Sequence, residues 1–165
     1  VPCATGSTNL IDHWAPTKIN YVYCVNAMNL VLNPSDNSLN NLNICGGVLW
    51  NQGESSIRPT LDSDYVANFV TMMNGFITEI YGMSANTPIV VAKIGGNQYA
   101  SDATGDIHRQ SFINEQLQIL ANTYTNIACV DAMGLETDDK VHYNAESMDI
   151  LGHRYYDKYC EAYNL

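Results

Sequence analysis

The chain has 165 residues, of which 46% are hydrophobic and 15% are charged, a balance typical of one globular domain rather than of a disordered segment. Seven Lys and Arg residues against seventeen Asp and Glu give a formal charge of −10, which disfavours nucleic acid, anionic membranes and polyanionic substrates as partners. No apolar stretch approaches the ~20 residues that cross a bilayer, so we expect no membrane span.

The five cysteines, Cys3, Cys24, Cys45, Cys129 and Cys160, are widely spaced and show no metal-ligand spacing. Cys3, Cys45 and Cys129 lie in strand-like runs, where a buried free thiol is the ordinary interpretation. Cys24 and Cys160 lie on helix-like segments and are candidates for a disulfide. The compartment stays open, and an extracellular or secretory location would fit such a bond.

Two kinds of apolar segment alternate along the chain. Val1 to Ala4 is strand-like and runs into the turn at Gly6-Ser7-Thr8. Apolar residues three to four apart then predict helices, and short Val- and Ile-rich runs predict buried parallel strands. In chain order the predicted elements are a helix over Ile19 to Leu32, a strand over Ile44 to Trp50, a helix over Tyr65 to Ile80 capped by Asp62 or Ser63, a strand over Pro88 to Ile94, a helix over Ile113 to Ala121, a strand over Asn126 to Asp131, and a helix from Asn144 to Tyr159.

This alternation predicts the fold class. Strand then helix, repeated, indicates an α/β domain over residues 1–165 with a doubly wound, mostly parallel sheet covered by helices on both faces. Asn33 to Asn43 is predicted to be a polar surface loop. Gly95 to Gly105 is a second irregular stretch, directly after a predicted strand. Because loops after the carboxyl ends of parallel strands build the sites of such folds, we expect functional residues in these loops.

An aspartate precedes a histidine by three residues at Asp139 and His142, in the loop before the last predicted helix. At this spacing a carboxylate can orient an imidazole as a general base. The alternative is a histidine with a surface or helix-capping role. His13, His108 and His153 lack a carboxylate at the same spacing, and His153 is predicted to be solvated.

Polar residues also follow the strand that ends near Trp50. The Gln52 amide can donate a hydrogen bond to a developing oxyanion, which contributes roughly 3 kcal/mol in known enzymes. Glu54 adds a second carboxylate. The alternative is a polar loop in which Gln52 and Glu54 cap the following turn. Gly6, after the first apolar run, offers a backbone N–H group for the same oxyanion.

A serine nucleophile is not evident. Ser7 lies in a Gly-Ser-Thr turn, where a serine is usually structural. Ser55 and Ser56 follow a glutamate and do not occupy a Gly-x-Ser-x-Gly elbow. The pattern therefore predicts most of an esterase active site without its nucleophile.

Three segments together resemble the SGNH-hydrolase superfamily, and most closely its branch of sialate O-acetylesterases, similar plant carbohydrate esterases and family 6 acetylxylan esterases. Residues 1–8 with Trp14 are similar to a strand that ends in Gly-Gly-Thr and is followed by a Trp. Residues 47–55 contain the Trp-x-Gln-Gly-Glu block, and residues 129–155 contain the closing Asp-x-x-His block. The segments occur in the family's order over nearly the whole chain.

The resemblance implies a carbohydrate O-acetylesterase that acts on an acetylated carbohydrate without a metal or organic cofactor. His142 would be the general base and Asp139 its orienting carboxylate. Glu54 would be a helper or rival of Asp139, as in some relatives. Gly6, through its backbone N–H, and Gln52, through its side chain, would form the oxyanion hole.

The chain departs from this family pattern at two points. The Gly-Gln-Ser-Asn block with the nucleophilic serine would lie upstream of Val1, and Ser7 stands where the pattern has a second glycine. In the family's flavodoxin-like three-layer α/β/α fold, the serine follows the first, central strand. A sheet without that strand has unpaired edges, which are costly and aggregation-prone. We therefore expect a missing N-terminal segment of the same protein, or a companion chain, to complete the domain, and we expect the 165 residues not to fold alone.

Two alternatives remain at this point. One is a catalytically inactive SGNH-like module with a glycan-binding or structural role, motivated by the missing nucleophile and by Ser7. The other is a lipase-type SGNH esterase for acyl chains. The second is disfavoured because the sequence contains no long apolar loop to line an acyl groove.

Overall fold

The computed structural model describes residues 1–35, 42–56, 64–95, 106–139 and 141–163, with the backbone alone for 106–109. Within these ranges the elements are α1 (Ile19–Leu32), β1 (Val48–Trp50), α2 (Tyr65–Glu79), β2 (Ile89–Ala92), α3 (Asp106–Thr123), β3 (Ile127–Val130) and α4 (Ala145–Tyr163). A π-helical turn, Leu10–Trp14, precedes α1, and a 3₁₀ turn, Glu54–Ser56, follows β1. The predicted alternation of helices and strands from Ile19 onward is confirmed, although each strand is shorter than its apolar run.

The three strands form one parallel sheet in the order β1-β2-β3. Val48 of β1 lies opposite Ile89 of β2, and Ile89 in turn lies opposite Ile127 of β3. Parallel strands have their carboxyl ends at the same edge of the sheet. The residues that follow β1, β2 and β3 therefore share one edge, which we call the carboxyl edge.

Helices cover both faces of this sheet. Ile89 and Val91 of β2 face a core shared with α1, α2 and α3, whereas Val90 and Ala92 face α4. All four side chains are at most 2% exposed, which explains why β2 is apolar at every position. The predicted α/β architecture with helices on both faces is confirmed. In the described part of the chain, no helix is both long and apolar enough to cross a membrane.

Helix α2 illustrates how the spacing of apolar residues predicts which side of a helix is buried. Its buried residues recur every three to four positions from Tyr65 to Phe76, so one stripe of the helix enters the core. Each such side chain contributes about 1.5–3 kcal/mol when it leaves water. The helix begins after Asp64. The predicted caps Asp62 and Ser63 lie outside the described residues.

Three tyrosines one turn apart on α4 attach this helix to the sheet. Their hydroxyls donate to backbone carbonyls of residues in or next to the strands: Tyr155 to Trp50 at 2.7 Å, Tyr159 to Gly46 at 2.6 Å, and Tyr163 to Asn126 at 2.6 Å. Only 7% of Tyr155 is exposed. Tyr155 is thus part of the core, Tyr159 and Tyr163 pack against it half-buried, and the row closes the second face of the sheet.

The strand expected over Val1 to Ala4 is not formed, and that prediction is wrong. Residues 1–5 have no regular structure, and a cavity of about 530 Å³ lies between them and the free edge of β1. An extended segment becomes a strand only when a neighbour pairs with its N–H and C=O groups. Strand propensity is present in Val1 to Ala4, but among the described residues no neighbouring strand pairs with this segment.

The suggested disulfide between Cys24 and Cys160 is also wrong. Cys24 packs with the core of α1, α2 and α3, whereas Cys160 lies on α4 across the sheet. All five cysteines are free thiols, as expected for Cys3, Cys45 and Cys129, although these three are half-buried rather than fully buried. Burial and, secondarily, a hydrogen bond with Cys3 raise the pKa of Cys24 to about 12.

Candidate active site

The loop between β3 and α4, described over residues 136–139 and 141–144, contains Asp139 and His142; we call it the histidine loop. Thr137 and Tyr143 form an isolated antiparallel bridge that closes the loop. The chain therefore turns back on itself between these two residues. The loop follows β3 and thus lies at the carboxyl edge of the sheet.

The side chain of Asp139 organises this loop. Its Oδ2 lies 2.6 Å from Nδ1 of His142, and its Oδ1 accepts the backbone N–H groups of Val141 at 3.0 Å and His142 at 2.7 Å. An ionised carboxylate can only accept, so Nδ1 has the ring proton. The neutral imidazole then presents Nε2 as its unprotonated nitrogen, which is the form that a general base requires.

The charges around His142 make it more basic. The hydrogen bond with Asp139 and then the charge of Asp139 raise the pKa of His142, and the charge of Glu54 adds to the increase. In return, the hydrogen bonds from His142 and Val141 hold the pKa of Asp139 well below its usual range. The His142 side chain is 76% exposed and that of Asp139 is 55% exposed. The pair is thus accessible to a substrate at the surface.

Tyr143 ties the histidine loop to the end of β2. Its hydroxyl oxygen accepts the backbone N–H of Gly95 at 2.8 Å. A Cβ atom at Gly95 would lie only 2.7 Å from that oxygen, so the close approach requires glycine. Burial is the main reason that the pKa of Tyr143 is raised to about 12, which keeps the hydroxyl protonated at neutral pH.

A second group of polar residues follows β1. Gln52 is 8% exposed, and its Nε2 donates to the Thr8 carbonyl at 3.1 Å and to Oγ of Ser56 at 2.9 Å. Both hydrogens of the amide are therefore in use. We call Gln52, Ser56 and the turn of residues 5–8 the amide corner. It joins Gln52 to the turn that contains Gly6 across 44 residues of sequence.

The turn itself exposes a backbone donor. Gly6 is exposed, nothing lies within 4 Å of the place where its Cβ would stand, and among the described residues its N–H has no hydrogen-bond acceptor. Ser7 has a φ of 59°, in the left-handed region that favours glycine. Ser7 thus adopts a backbone that glycine adopts more readily, at a cost of about 1 kcal/mol.

The structure brings the predicted site residues together in two groups. Gly6 and Gln52 meet in the amide corner, and Asp139 and His142 meet in the histidine loop. Glu54 is half-buried in the turn after β1 and acts on His142 through its charge. Among the described residues, the ring N–H of His142 donates its hydrogen bond to Asp139.

The other candidates have other surroundings. His153 is confirmed as solvated, since 74% of its side chain is exposed. Nδ1 of His13 accepts the backbone N–H of Asn9 at 3.3 Å, a local structural role. The side chain of His108 and the predicted loop after Gly95 lie outside the described residues.

Sequence reasoning missed the residues that support the site. Tyr65 contacts Gln52, yet it begins the apolar stripe of α2 and therefore looks like an ordinary core residue. The sequence suggests Ser56 only as a candidate nucleophile, whereas in the structure its Oγ accepts a hydrogen bond from Gln52. The sequence indicates a role for Tyr143 only through its position directly after His142. It does not show that Tyr143 ties the loop to Gly95.

A carboxylate beside a histidine at the carboxyl edge of a parallel α/β sheet is an arrangement that hydrolases with an activated nucleophile use. The comparison with protein families then names the family. A model of carbohydrate esterases, described as sialic acid-specific acetylesterase, matches residues 1–161, and the chain belongs to this family. It is a carbohydrate-acetylesterase-like hydrolase domain, which confirms the family resemblance of the sequence.

A solved structure shares the fold. The X-ray structure of a protein from Arabidopsis thaliana superimposes with a TM-score of 0.73 at 24% sequence identity. The match covers 97% of this chain and 58% of that protein, so the chain spans little more than half the length of its structural neighbour. No curated protein matches the chain in sequence.

Proposed function

We propose that this domain belongs to a carbohydrate O-acetylesterase whose nucleophilic serine lies outside these 165 residues. The supporting observation is the 2.6 Å contact between Asp139 and Nδ1 of His142, which leaves Nε2 as a base. The serine oxygen attacks the acetyl carbonyl while its proton moves to Nε2. The sugar hydroxyl leaves with that proton, and a water molecule activated by His142 then releases acetate from the acetyl-enzyme.

The amide corner is proposed to stabilise the negative oxygen formed in both steps. The exposed N–H of Gly6 supplies one donor. Gln52 supplies the second through the N–H that binds Ser56, which is shared between Ser56 and the oxyanion in a three-centre hydrogen bond while the bond to Thr8 keeps the amide in place. In this scheme Asp139 orients His142, and the charge of Glu54 supports the imidazolium.

The free edge of β1 supports the proposal that another segment completes the sheet. The N–H of Val48 donates to Pro88 of the neighbouring chain segment at 2.8 Å. Because neighbouring residues of a strand point their backbone groups in opposite directions, the N–H and C=O of Leu49 face the free edge. Leu49 is 63% exposed and lines the cavity of about 530 Å³ beside residues 1–5.

We propose that an extended apolar segment, from upstream in the same protein or from a companion chain, pairs with Leu49 in this cavity. A parallel segment would end at the carboxyl edge, beside Gly6 and Gln52. A serine directly after it would stand where an oxyanion could meet the amide corner. An acetylated carbohydrate is the proposed substrate.

Hydrolysis of p-nitrophenyl acetate and of acetylated sugars by the full-length protein tests the proposal. The variant His142→Ala should lose at least about 10³-fold in kcat/KM, because the general base is gone. His153→Ala is the matched control, since His153 is also an exposed histidine near a carboxylate, 3.9 Å from Asp149. Wild-type rates in His142→Ala would overturn the assignment.

One observation favours a second candidate, an inactive module that binds glycans or has a structural role. Both N–H groups of Gln52 already have acceptors, Thr8 and Ser56, as in a structural amide. The residues encoded upstream discriminate between the two functions. A Gly-Gln-Ser-Asn run favours the esterase, whereas another residue at the serine position, with glycan binding by calorimetry and no acetate release, favours the module.

A further inference from the structure

A buried row of hydrogen bonds lies beneath the amide corner. Tyr65, which is 0% exposed, accepts the indole N–H of Trp50 at 3.2 Å. The same hydroxyl lies 3.1 Å from the backbone carbonyl of Gln52 and 3.2 Å from its Oε1. Ser56, also 0% exposed, lies on the other side of the amide. Gln52 is thus held between two fully buried hydroxyl groups.

Donor and acceptor chemistry fixes the direction of this row. The Thr8 carbonyl can only accept, so the amide atom that faces it is Nε2, and Oε1 must face Tyr65. The indole N–H of Trp50 can only donate, so it occupies a lone pair of the Tyr65 oxygen. Among the described residues, the acceptors within reach of the Tyr65 proton are the backbone carbonyl and the Oε1 of Gln52.

The turn that contains Gly6 is held from its other side as well. The indole N–H of Trp14 donates to Oγ1 of Thr8 at 3.0 Å, and that hydroxyl donates to the Thr5 carbonyl at 2.9 Å. The backbone carbonyl of Thr8 is left for Gln52. The amide is therefore a direct link between the core and the turn of residues 5–8.

We infer that Tyr65 and Ser56 are positioning residues: they fix the orientation of the Gln52 amide and, through it, the turn that presents the Gly6 N–H. Neither residue contacts the reacting atoms. The catalytic consequence rests on the proposed function, but the positioning itself does not. Without the Tyr65 hydroxyl, the amide can rotate and the hydrogen bond to Thr8 is no longer enforced.

The variant Tyr65→Phe removes only the hydroxyl, and Tyr21→Phe is its matched control. Tyr21 is 1% exposed and donates to Glu79 at 2.7 Å, so it loses a comparable hydrogen bond away from Gln52. Both variants are made in the full-length protein. Amide hydrogen exchange of Thr8 and Asn9, the buried residues at the end of this turn, should accelerate about ten-fold in Tyr65→Phe and stay unchanged in Tyr21→Phe.

Steady-state kinetics with p-nitrophenyl acetate provide the second measurement. In Tyr65→Phe we expect kcat to fall about ten-fold with KM changed less than about two-fold, because the turn is needed in the transition state rather than for substrate binding. Tyr21→Phe should keep both constants. Should Tyr65→Phe not fold, Ser56→Ala tests the same contact from the other side of Gln52.

The outcomes separate the two proposals. Faster exchange of Thr8 and Asn9 in a protein that never hydrolyses esters would retain the positioning role and overturn the proposed function. Unchanged exchange in both Tyr65→Phe and Ser56→Ala would overturn the positioning role, whatever the activity. A loss of kcat equal in Tyr65→Phe and Tyr21→Phe would also count against it, since it would reflect general stability.

Discussion

The histidine loop and the amide corner lie at the same edge of the sheet, yet they are built in opposite ways. In the histidine loop, Asp139 makes its bonds to residues no more than three positions away, and both partners are exposed to solvent. In the amide corner, Gln52 bonds to a residue 44 positions away and is almost fully buried. The hydrogen bonds of the histidine loop are thus local and exposed to solvent, whereas the bond that links Gln52 to Thr8 in the amide corner is long-range and buried.

This difference indicates whether a substitution in each region should affect activity, stability or both. A local, exposed pair contributes little to stability, because water and salt screen the attraction between exposed charges. Changes in the histidine loop should therefore affect chemistry and spare the fold. Changes in the amide corner remove buried hydrogen bonds or packing and should affect both.

After the loss expected for His142→Ala, the largest effect comes from Asp139→Asn. The amide no longer holds His142 in the required tautomer, so kcat/KM of the full-length protein should fall about 10²-fold or more. The melting temperature should stay within about 2 °C of wild type, as expected for an exposed pair. Asp149→Asn, beside the solvated His153, should change neither value. A large loss of stability would contradict the separation of the two regions.

The pH dependence of kcat/KM is a second test of the histidine loop. His142 acts as a base only when neutral, so kcat/KM should decrease as the pH falls through its pKa. Because Asp139 raises that pKa, the decrease should begin at a higher pH than for an ordinary histidine. In Asp139→Asn the midpoint should move to lower pH. A midpoint that is the same in both proteins would exclude His142 as the titrating group.

Gly53→Ala tests the closed region. A Cβ atom at Gly53 would lie 2.7 Å from Cδ1 of Ile94 and 2.8 Å from Cγ2 of Ile113. Such overpacking costs about 2 kcal/mol, which should lower the melting temperature by roughly 4–8 °C. Gly152→Ala on α4 is the control, since nothing lies within 4 Å of its Cβ position. An unchanged melting temperature in Gly53→Ala would show that the corner is loosely packed.

The smallest expected effect is a gain. Ser7→Gly removes the strain of a φ of 59° and should stabilise the domain by about 1 kcal/mol, measured by denaturant unfolding. Ser7→Ala keeps a Cβ atom and should give no such gain. Equal stabilities for the two variants would mean that the left-handed backbone is not strained at this turn.

The sequence predicted what depends on local pattern. The apolar run of β2 and the stripe of α2 identified a buried strand and a half-buried helix, because burial imposes their periods. The spacing of Asp139 and His142 also predicted their contact, because two side chains three residues apart in one loop can meet without a partner distant in sequence.

Errors arose where a partner distant in sequence decides the outcome. Val1 to Ala4 have strand propensity, but propensity cannot supply the neighbouring strand. The disulfide between Cys24 and Cys160 failed because local sequence does not show which face of the sheet a helix covers. Gln52 could be predicted as a functional residue from its position after a strand. Its hydrogen bond with Tyr65 could not be predicted, because Tyr65 lies in the apolar stripe of α2 and therefore resembles an ordinary core residue.

The row of tyrosines on α4 has a consequence for biosynthesis. The hydroxyl of Tyr155 reaches a carbonyl 105 residues earlier in the chain, and that of Tyr159 reaches one 113 residues earlier. At roughly 5–20 residues per second, the ribosome needs about 5–20 s to make that length of polypeptide. From the synthesis of β2 until α4 has emerged, Val90 and Ala92 have no helix to cover them, so this face of the sheet stays open to solvent in the nascent chain.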